Sequence, residues 1–204
     1  MTHFRIPHQK TEMILTILIP TLWSRIDKLA ILVKELNFQI QNKPVQILWL
    51  GDNKSISVGE KRNKLIEMSL GQWFCFIDDD DKIAKDYIYT ILKAIEENPT
   101  KTVICFEGKQ NSDGAEDLPF MYDVRFGRNF KQVVDGVRYK CMLPDHLCVW
   151  QKSKVSERFP DSSLGEDHEF AKTMAFHYTA NEQFLLKKFL YLYEFNRNES
   201  ECRR

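Results

Sequence analysis

Gln72-Trp73-Phe74-Cys75-Phe76-Ile77-Asp78-Asp79-Asp80-Asp81 is the stretch on which the fold assignment turns. Its first six residues are mostly large and apolar, the pattern of a strand buried on both faces of a parallel sheet. That strand runs without a break into four consecutive carboxylates. Open α/β sheets place their ligands at the carboxyl ends of parallel strands. Four adjacent carboxylates repel one another, so leaving them unpaired is unfavourable. A divalent cation relieves that repulsion, and carboxylate oxygens suit hard ions such as Mg²⁺ or Mn²⁺. Such an ion can bridge two phosphates of a nucleotide diphosphate and stabilise the charge that grows as it departs. The same residues also read as a solvated acidic turn that caps a helix beginning near Lys85.

Outward from this stretch, the first half alternates strands and helices. Met13 to Ile19 is a compact apolar run suited to a buried strand. Ser24, with Asp27 three positions on, predicts a capped helix in which Ile26, Leu29, Ala30, Val33 and Leu36 recur at helical spacing. Pro44 precedes a second strand, Val45 to Leu50, closed by Gly51-Asp52-Asn53. Ser57 and Glu60 form a capping box for a helix with Leu65, Ile66 and Leu70 on one side and a stop at Gly71. Tyr87, Ile88, Ile91, Leu92 and Ile95 mark another helix, ended near Pro99, and Thr102 to Phe106 a fourth strand. Repeated units of this kind imply a parallel sheet with helices on both faces.

Beyond residue 107 the pattern is irregular. Asn111-Ser112-Asp113-Gly114 reads as a turn, 120–150 as short strands and loops, Glu166 to Phe176 as a helix and Phe184 to Phe195 as a closing strand. No internal repeat and no separating linker is visible. Residues 1–204 are expected to form one α/β domain, with a nucleotide-binding half at about 13–107 and a half at about 108–204 that closes over it.

Composition narrows the class. With 29 basic and 29 acidic residues, the chain lacks the basic excess by which non-specific nucleic-acid binders gain affinity. No run approaches the roughly 20 apolar residues of a membrane span, and Ile14 to Pro20 reads as a buried strand rather than a signal peptide. Five cysteines, odd in number and without C-x-x-C pairing, read as buried or free thiols of a reducing compartment. The expectation is a cytoplasmic protein. Trp23, Trp49, Trp73 and Trp150 are expected mostly in the core, with Trp150 and Tyr122 weighed for stacking against a sugar or base.

Several other residues share the predicted edge of the acidic run. The first strand ends Ile19-Pro20-Thr21 with Arg25 just beyond, the second ends at Asp52, and Gly59-Glu60-Lys61-Arg62-Asn63 opens the next helix. An Asp there can accept hydrogen bonds from a base edge or ribose, and Arg25, Lys61 or Arg62 can approach phosphates. Singly, each also reads as turn or capping chemistry. In the second half, Gly165-Glu166-Asp167 opens a helix, where the helix field favours an ionised carboxylate. An acceptor hydroxyl needs such a group to take its proton, although acidic residues at that position often only complement the dipole. His146 faces a metal, a donor sugar or an acceptor, or is an ordinary hydrogen-bonded residue. His168, beside Asp167, reads equally as a surface residue.

The order and spacing of these pieces resemble a GT-A glycosyltransferase of the family 2 type. The matching pieces are Ile17-Leu18-Ile19-Pro20-Thr21, Leu50-Gly51-Asp52, Gly59-Glu60-Lys61-Arg62-Asn63 and Phe76-Ile77 followed by Asp78-Asp79-Asp80-Asp81, with Gly165-Glu166-Asp167 similar to that family's E-D motif. The resemblance implies a mostly parallel, Rossmann-like central sheet flanked by helices, with a smaller antiparallel acceptor-side region. It implies a nucleotide-diphosphate sugar donor, with a UDP-sugar as first choice, and Mn²⁺ or Mg²⁺. Pro20, Thr21, Arg25, Asp52, Arg62, Asp78 and Asp79 are the expected donor-binding set. Within it Thr21 lines the nucleoside pocket, Asp52 contacts the base and Asp78 contacts the donor. Asp80, Asp78 and His146 are the expected metal set, with Asp81 nearby. Asp167 is the expected catalytic base of an inverting transfer, supported by Glu166.

Many relatives complete the metal site with a His in the tail. This chain has none after His177, so His146, Asn196 or water would serve instead. The acceptor hydroxyl belongs to a glycan, a protein, a small molecule or a modified nucleobase, and a homo-oligomer or a partner protein could complete its site. The rival readings are a metal-dependent nucleotidyltransferase, against which stands the lack of a glycine-rich phosphate loop, and a non-catalytic nucleotide-sugar-binding module.

Overall fold

The structure, a computed structural model, describes residues 12–112 and 117–195. The first unit is β1 (Leu15–Leu22), α1 (Ile26–Ile40), β2 (Val45–Asp52), α2 (Val58–Met68) and β3 (Trp73–Phe76). The chain continues through β4 (Lys82–Ile83), α3 (Tyr87–Glu97) and β5 (Val103–Ser112). The second half supplies β6 (Leu118–Tyr122), β7 (Phe130–Val134), β8 (Val137–Met142), β9 (Val149–Gln151), α4 (Glu166–Met174) and β10 (Gln183–Phe195). Among the described residues all ten strands join one sheet, ordered β2-β1-β3-β9-β5-β6-β8-β7, with β10 along the other edge of β5.

The sheet is mixed in a way that follows the two halves. β1 lies parallel between β2 and β3, and β10 runs parallel to β5. β9 enters antiparallel between β3 and β5, and β6 and β7 each have an antiparallel neighbour. The expected parallel core with a smaller antiparallel region is therefore present. Every residue of β1 is buried, which explains its continuous apolar run. Pro20 is tolerated in this central strand for a geometric reason. Leu18 turns its carbonyl towards Ile77, and Pro20, two residues on, faces the same side, where β3 has already ended and no donor is required. Helix α1 packs with α3, and α2 with α4.

The parallel register brings the strand ends together. Leu22 pairs with Asp52, and Leu18 with Phe76 two residues before the acidic run. The run itself is a turn, closed by the Asp81 N–H donating to the Asp78 carbonyl. β10 then clamps it from the far end of the chain, pairing with β4 and donating from Tyr191 Oη to Asp81 at 2.6 Å.

Several local expectations are corrected. Ser24 makes no cap; a short helical turn, Trp23–Arg25, leads into α1 with Arg25 as its cap position. In α1 the buried face carries Leu29, Leu32, Leu36 and Ile40, whereas Ile26 and Ala30 are exposed. Ser57 does accept from the Glu60 N–H, but the Glu60 carboxylate turns to Lys64 instead of back to Ser57. Leu70 lies outside α2 and is exposed. Asn111 and Ser112 end β5 rather than forming a turn, and Asp113 and Gly114 fall outside the described residues. Trp23 and Trp49 are half exposed and meet edge to face, while Trp150 is fully buried. Cys75, Cys105, Cys141 and Cys148 are buried free thiols. No helix among the described residues is long and apolar enough to cross a membrane.

The amino end of α2 is seated against the loop before α4, where the Gly59 N–H donates to the Ser162 carbonyl at 2.9 Å. A Cβ on Gly59 would lie 1.9 Å from the Pro160 carbonyl oxygen. Gly59→Ala is therefore expected to cost about 2 kcal/mol or more through backbone displacement, seen as a lower urea midpoint at an unchanged slope.

Candidate functional site

A cleft of about 530 Å³ opens at the carboxyl end of the parallel strands, and both halves of the chain line it. One wall includes Pro20, Arg25, Arg62, Asp78, Asp79 and Asp80, and the opposite wall includes His146, Glu166 and Asp167.

Arg62 links the two walls. It is 3% exposed, pairs with Glu166, and reaches Asp78 at 3.4 Å. The Phe76 and Phe159 rings lie 5.6 and 5.5 Å from its guanidinium carbon. Burial alone would lower its pKa, but the charges of Asp78 and Glu166 raise it, so Arg62 stays charged. Glu166 is the first residue of α4, entered through Gly165 at φ 75°, a conformation glycine adopts without strain.

The four carboxylates of the acidic run differ sharply. Burial pushes Asp78 up, but a bond to His146 and the charges of His146, Arg62 and Arg25 overrule it and hold the group below the usual carboxylate range. Asp79 is buried beneath the cleft wall, accepts from Thr21 Oγ1 at 2.5 Å and pairs with Arg25 at 2.8 Å. Its burial still dominates and moves it to about 6. Asp80 also pairs with Arg25, and burial raises it. Asp81 is raised well above its ordinary value by burial and by the charge of Asp78. It accepts from Tyr191 and from the Glu194 N–H at 2.8 Å, so its contacts are with β10.

Across the cleft, His146 sits in the turn between β8 and β9. Its Nε2 lies 3.5 Å from Asp78, and its Nδ1 lies 3.8 Å from Asp145 and 4.0 Å from Asp167. Burial and Arg62 oppose its protonation, yet Asp145 and Asp78 outweigh them and its pKa is raised. Asp167 shows the reverse balance: burial raises it, but His146, Arg62 and the His168 N–H lower it more, leaving an ionised carboxylate on the cleft.

Not every expected residue faces this space. Thr21 and Asp52 are outside the cleft lining. Asp52 accepts from the Ser55 N–H, the Ser55 hydroxyl and the Ile56 N–H, and pairs with buried Lys61 at 2.5 Å. Lys61 also donates to the Thr21 carbonyl at 2.9 Å, tying the ends of β1 and β2 rather than reaching into the cleft. Trp150 donates to the Asp145 carbonyl from the core, and Tyr122 lines the cleft with its hydroxyl on Asp145 at 3.2 Å. His168 lies on the cleft beside Asn129. Tyr193 lines the cleft, and Asn196 to Glu199 lie outside the described residues.

The expected metal trio of Asp80, Asp78 and His146 does not form a compact ligand set. Among the described residues, the group whose ligand atoms converge is Asp145, His146 and Asp167. Asp145 belongs to no motif read from the sequence; the structure brings it to the cleft beside His146. Lys140 and Gln110, also on the cleft, carry no sequence signal at all.

The model for "Glycosyl transferase family 2" matches residues 26–161, about two thirds of the chain. The chain belongs to glycosyl transferase family 2. The matched span contains the acidic run, Arg62 and His146, and stops short of both Pro20–Arg25 and Glu166–Asp167. Among solved structures, S. aureus TarS 1–349 in complex with UDP is similar, with a TM-score of 0.63 and 18% identity over 90% of this chain and 61% of that one. The same TarS region in complex with UDP-GlcNAc gives 0.57 at 18% identity, over 92% of this chain and 60% of that one. Full TarS gives 0.57 at 18% identity, over 89% of this chain and 37% of its own length. At this identity the likeness shows the fold, which is GT-A. No curated protein matches the chain.

The raised Asp79 makes a stability prediction. Its folded pKa, about 6, exceeds the reference value of 3.8, so the folded family 2 domain holds this proton more tightly than the unfolded chain. That contribution is fully present below about pH 4 and lost as the pH rises through about 6, worth at most about 3 kcal/mol. Asp79→Asn cannot ionise and is expected to melt several degrees above the parent near pH 7.5, with the gap closing near pH 4.

Proposed function

We propose that this chain transfers a sugar from a nucleotide-diphosphate donor to an acceptor hydroxyl with inversion at the anomeric carbon. The observation that carries the reading is the juxtaposition of the acidic run and its arginines with an ionised Asp167 across one cleft. Arg25 and Arg62 line the cleft and would meet diphosphate oxygens. UDP and UDP-GlcNAc are the molecules described with TarS, and uridine is our first choice of base here. Residues 13–107 would hold the donor, and the remainder of the single domain would present the acceptor in a cytoplasmic setting. The acceptor is a glycan, a protein, a small molecule or a modified nucleobase, and a second subunit or partner protein could complete its site.

The carboxylates fit a hard divalent ion. Asp80 reaches the cleft with 22% of its side chain exposed, and Asp78 stands beside it ionised. One or two carboxylates together with substrate phosphates are the usual setting of Mg²⁺. When bound there, Mg²⁺ or Mn²⁺ would neutralise charge on the leaving diphosphate. Arg25, which pairs with Asp79 and Asp80, would turn from Asp80 to the phosphates as that carboxylate is taken. Asp167 would accept the proton of the attacking hydroxyl at a carboxylate oxygen. Arg62, through Glu166, keeps the start of α4 and hence Asp167 in place.

Two measurements test this. Uridine nucleotides with Mn²⁺ or Mg²⁺ are expected to raise the melting temperature by mass action, an effect lost in Asp80→Ala. No shift with any nucleotide, in folded protein with metal, would remove the donor site. Asp167→Asn is expected to slow nucleotide release at least about a hundredfold with little change in donor binding. Near-normal turnover in that variant would mean that another group is the base.

A further inference from the structure

Lys131 of β7 and Lys140 of β8 stand directly opposite each other in the antiparallel pairing of these strands. Residues paired in this way share one face of the sheet, and like charges so placed are destabilising. Arg138, two residues before Lys140, lies on the same face, about 7 Å along the strand. Three cations therefore crowd one side of a two-stranded hairpin. Lys131 and Arg138 are exposed, and Lys140 is half-buried. Among the described residues no carboxylate forms an ion pair with any of the three, and the Lys140 ammonium donates to the Gln110 amide oxygen at 3.2 Å. Burial lowers the Lys140 pKa and Lys131 adds to that, while the charges of Asp145 and Asp167 oppose the shift without undoing it.

Lys140 also lines the cleft, together with Met142 from the same face and with Asp167. The cationic face thus begins inside the cleft and runs outward along the hairpin. We propose that this face of β7 and β8 binds an acidic saccharide chain, whose carboxylate or phosphate groups meet Lys140, Lys131 and Arg138 and whose end reaches Asp167. Resting on the transfer reading, this narrows the acceptor hydroxyl to one carried by a polyanionic glycan. Charge complementarity carries it. Asp78, Asp80, Asp145, Glu166 and Asp167 would repel such a chain from the rest of the cleft, and the three cations supply the attraction that seats it on this side. On these two strands the cationic face carries Val133 and Met142 but no aromatic ring, and Tyr139 and Phe130 alternate to the other side. A nucleic-acid strand would find no ring there on which to stack its bases.

The test uses the full chain and three fluorescent oligosaccharides of one length, read by anisotropy: an oligogalacturonate, a phosphorylated oligomannoside and a neutral malto-oligosaccharide. An acidic probe is expected to bind at least about tenfold more tightly than the neutral one, with an affinity that falls as salt is added. The better of the two acidic probes tells carboxylate from phosphate. Lys131→Gln, Arg138→Gln and Lys140→Gln combined, checked for folding by the melting curve, should weaken that probe at least about tenfold. Lys131→Arg with Lys140→Arg should keep it, which separates charge from packing. Equal binding of acidic and neutral probes overturns the proposal, as does undiminished acidic binding in the triple variant. Tighter binding of a single-stranded oligonucleotide of equal charge overturns it too. The nucleotide-induced melting shift, followed in parallel, is expected to persist in Lys140→Gln, and its loss would give that lysine to the donor and end the proposal. Acidic-probe binding without a nucleotide shift in the parent counts against the donor site alone, and the reverse counts against this face alone.

Discussion

Arg62 carries its charge where solvent scarcely reaches, and an unpaired ion in such a place would cost several kcal/mol. Glu166 and Asp78 supply the opposite charge, and the Phe76 and Phe159 rings fill the space around the guanidinium. Three elements therefore meet at one side chain: helix α2, the end of β3 that follows it, and the first turn of α4, 104 positions on from Arg62. The position of Asp167 follows, because it is the residue after Glu166. His146, with Arg62 and Arg25 behind it, keeps Asp78 ionised.

The rest of the cleft is organised by how few cations serve so many carboxylates. At Asp78 and Asp167 the combined charges of His146 and Arg62 overcome burial, and both are held low. At Asp79, Asp80, Asp81 and Asp145 burial prevails, even beside Arg25 or His146, and raises all four. Arg25 is shared between two of them. A surface built this way favours the arrival of positive charge. Asp167 on the opposite wall is ionised as well, so negative charge faces the cleft from both sides.

The strands and helices of the first half were legible because buried parallel strands leave continuous apolar runs, and packed helices leave a periodic stripe. The details that failed were local competitions. Ser24 lost its capping role to a helical turn, and the Glu60 carboxylate preferred Lys64 to the backbone. β9 was not foreseen as a separator of β3 and β5, since three residues carry no period to read. In the site, Asp78, Asp79, Asp80, Arg25, Arg62, His146, Glu166 and Asp167 carry sequence signals and do share one cleft, whereas Asp81 turns to β10. Thr21 and Asp52 carry such signals too, but their polar atoms are engaged by Asp79, Lys61 and the loop after β2.

Sequence by itself determined the class of fold, the edge at which polar groups gather and the family, because these depend on local patterning and on motifs that are contiguous in the chain. Tertiary structure alone decided which carboxylates are ionised, which arginine meets which acid, and that Asp145 rather than Asp80 converges with His146 and Asp167. Those outcomes depend on burial and on distances between residues as much as 113 positions apart. Charge–charge energies change several-fold with the depth at which a pair sits, and depth is not written in any single stretch of sequence.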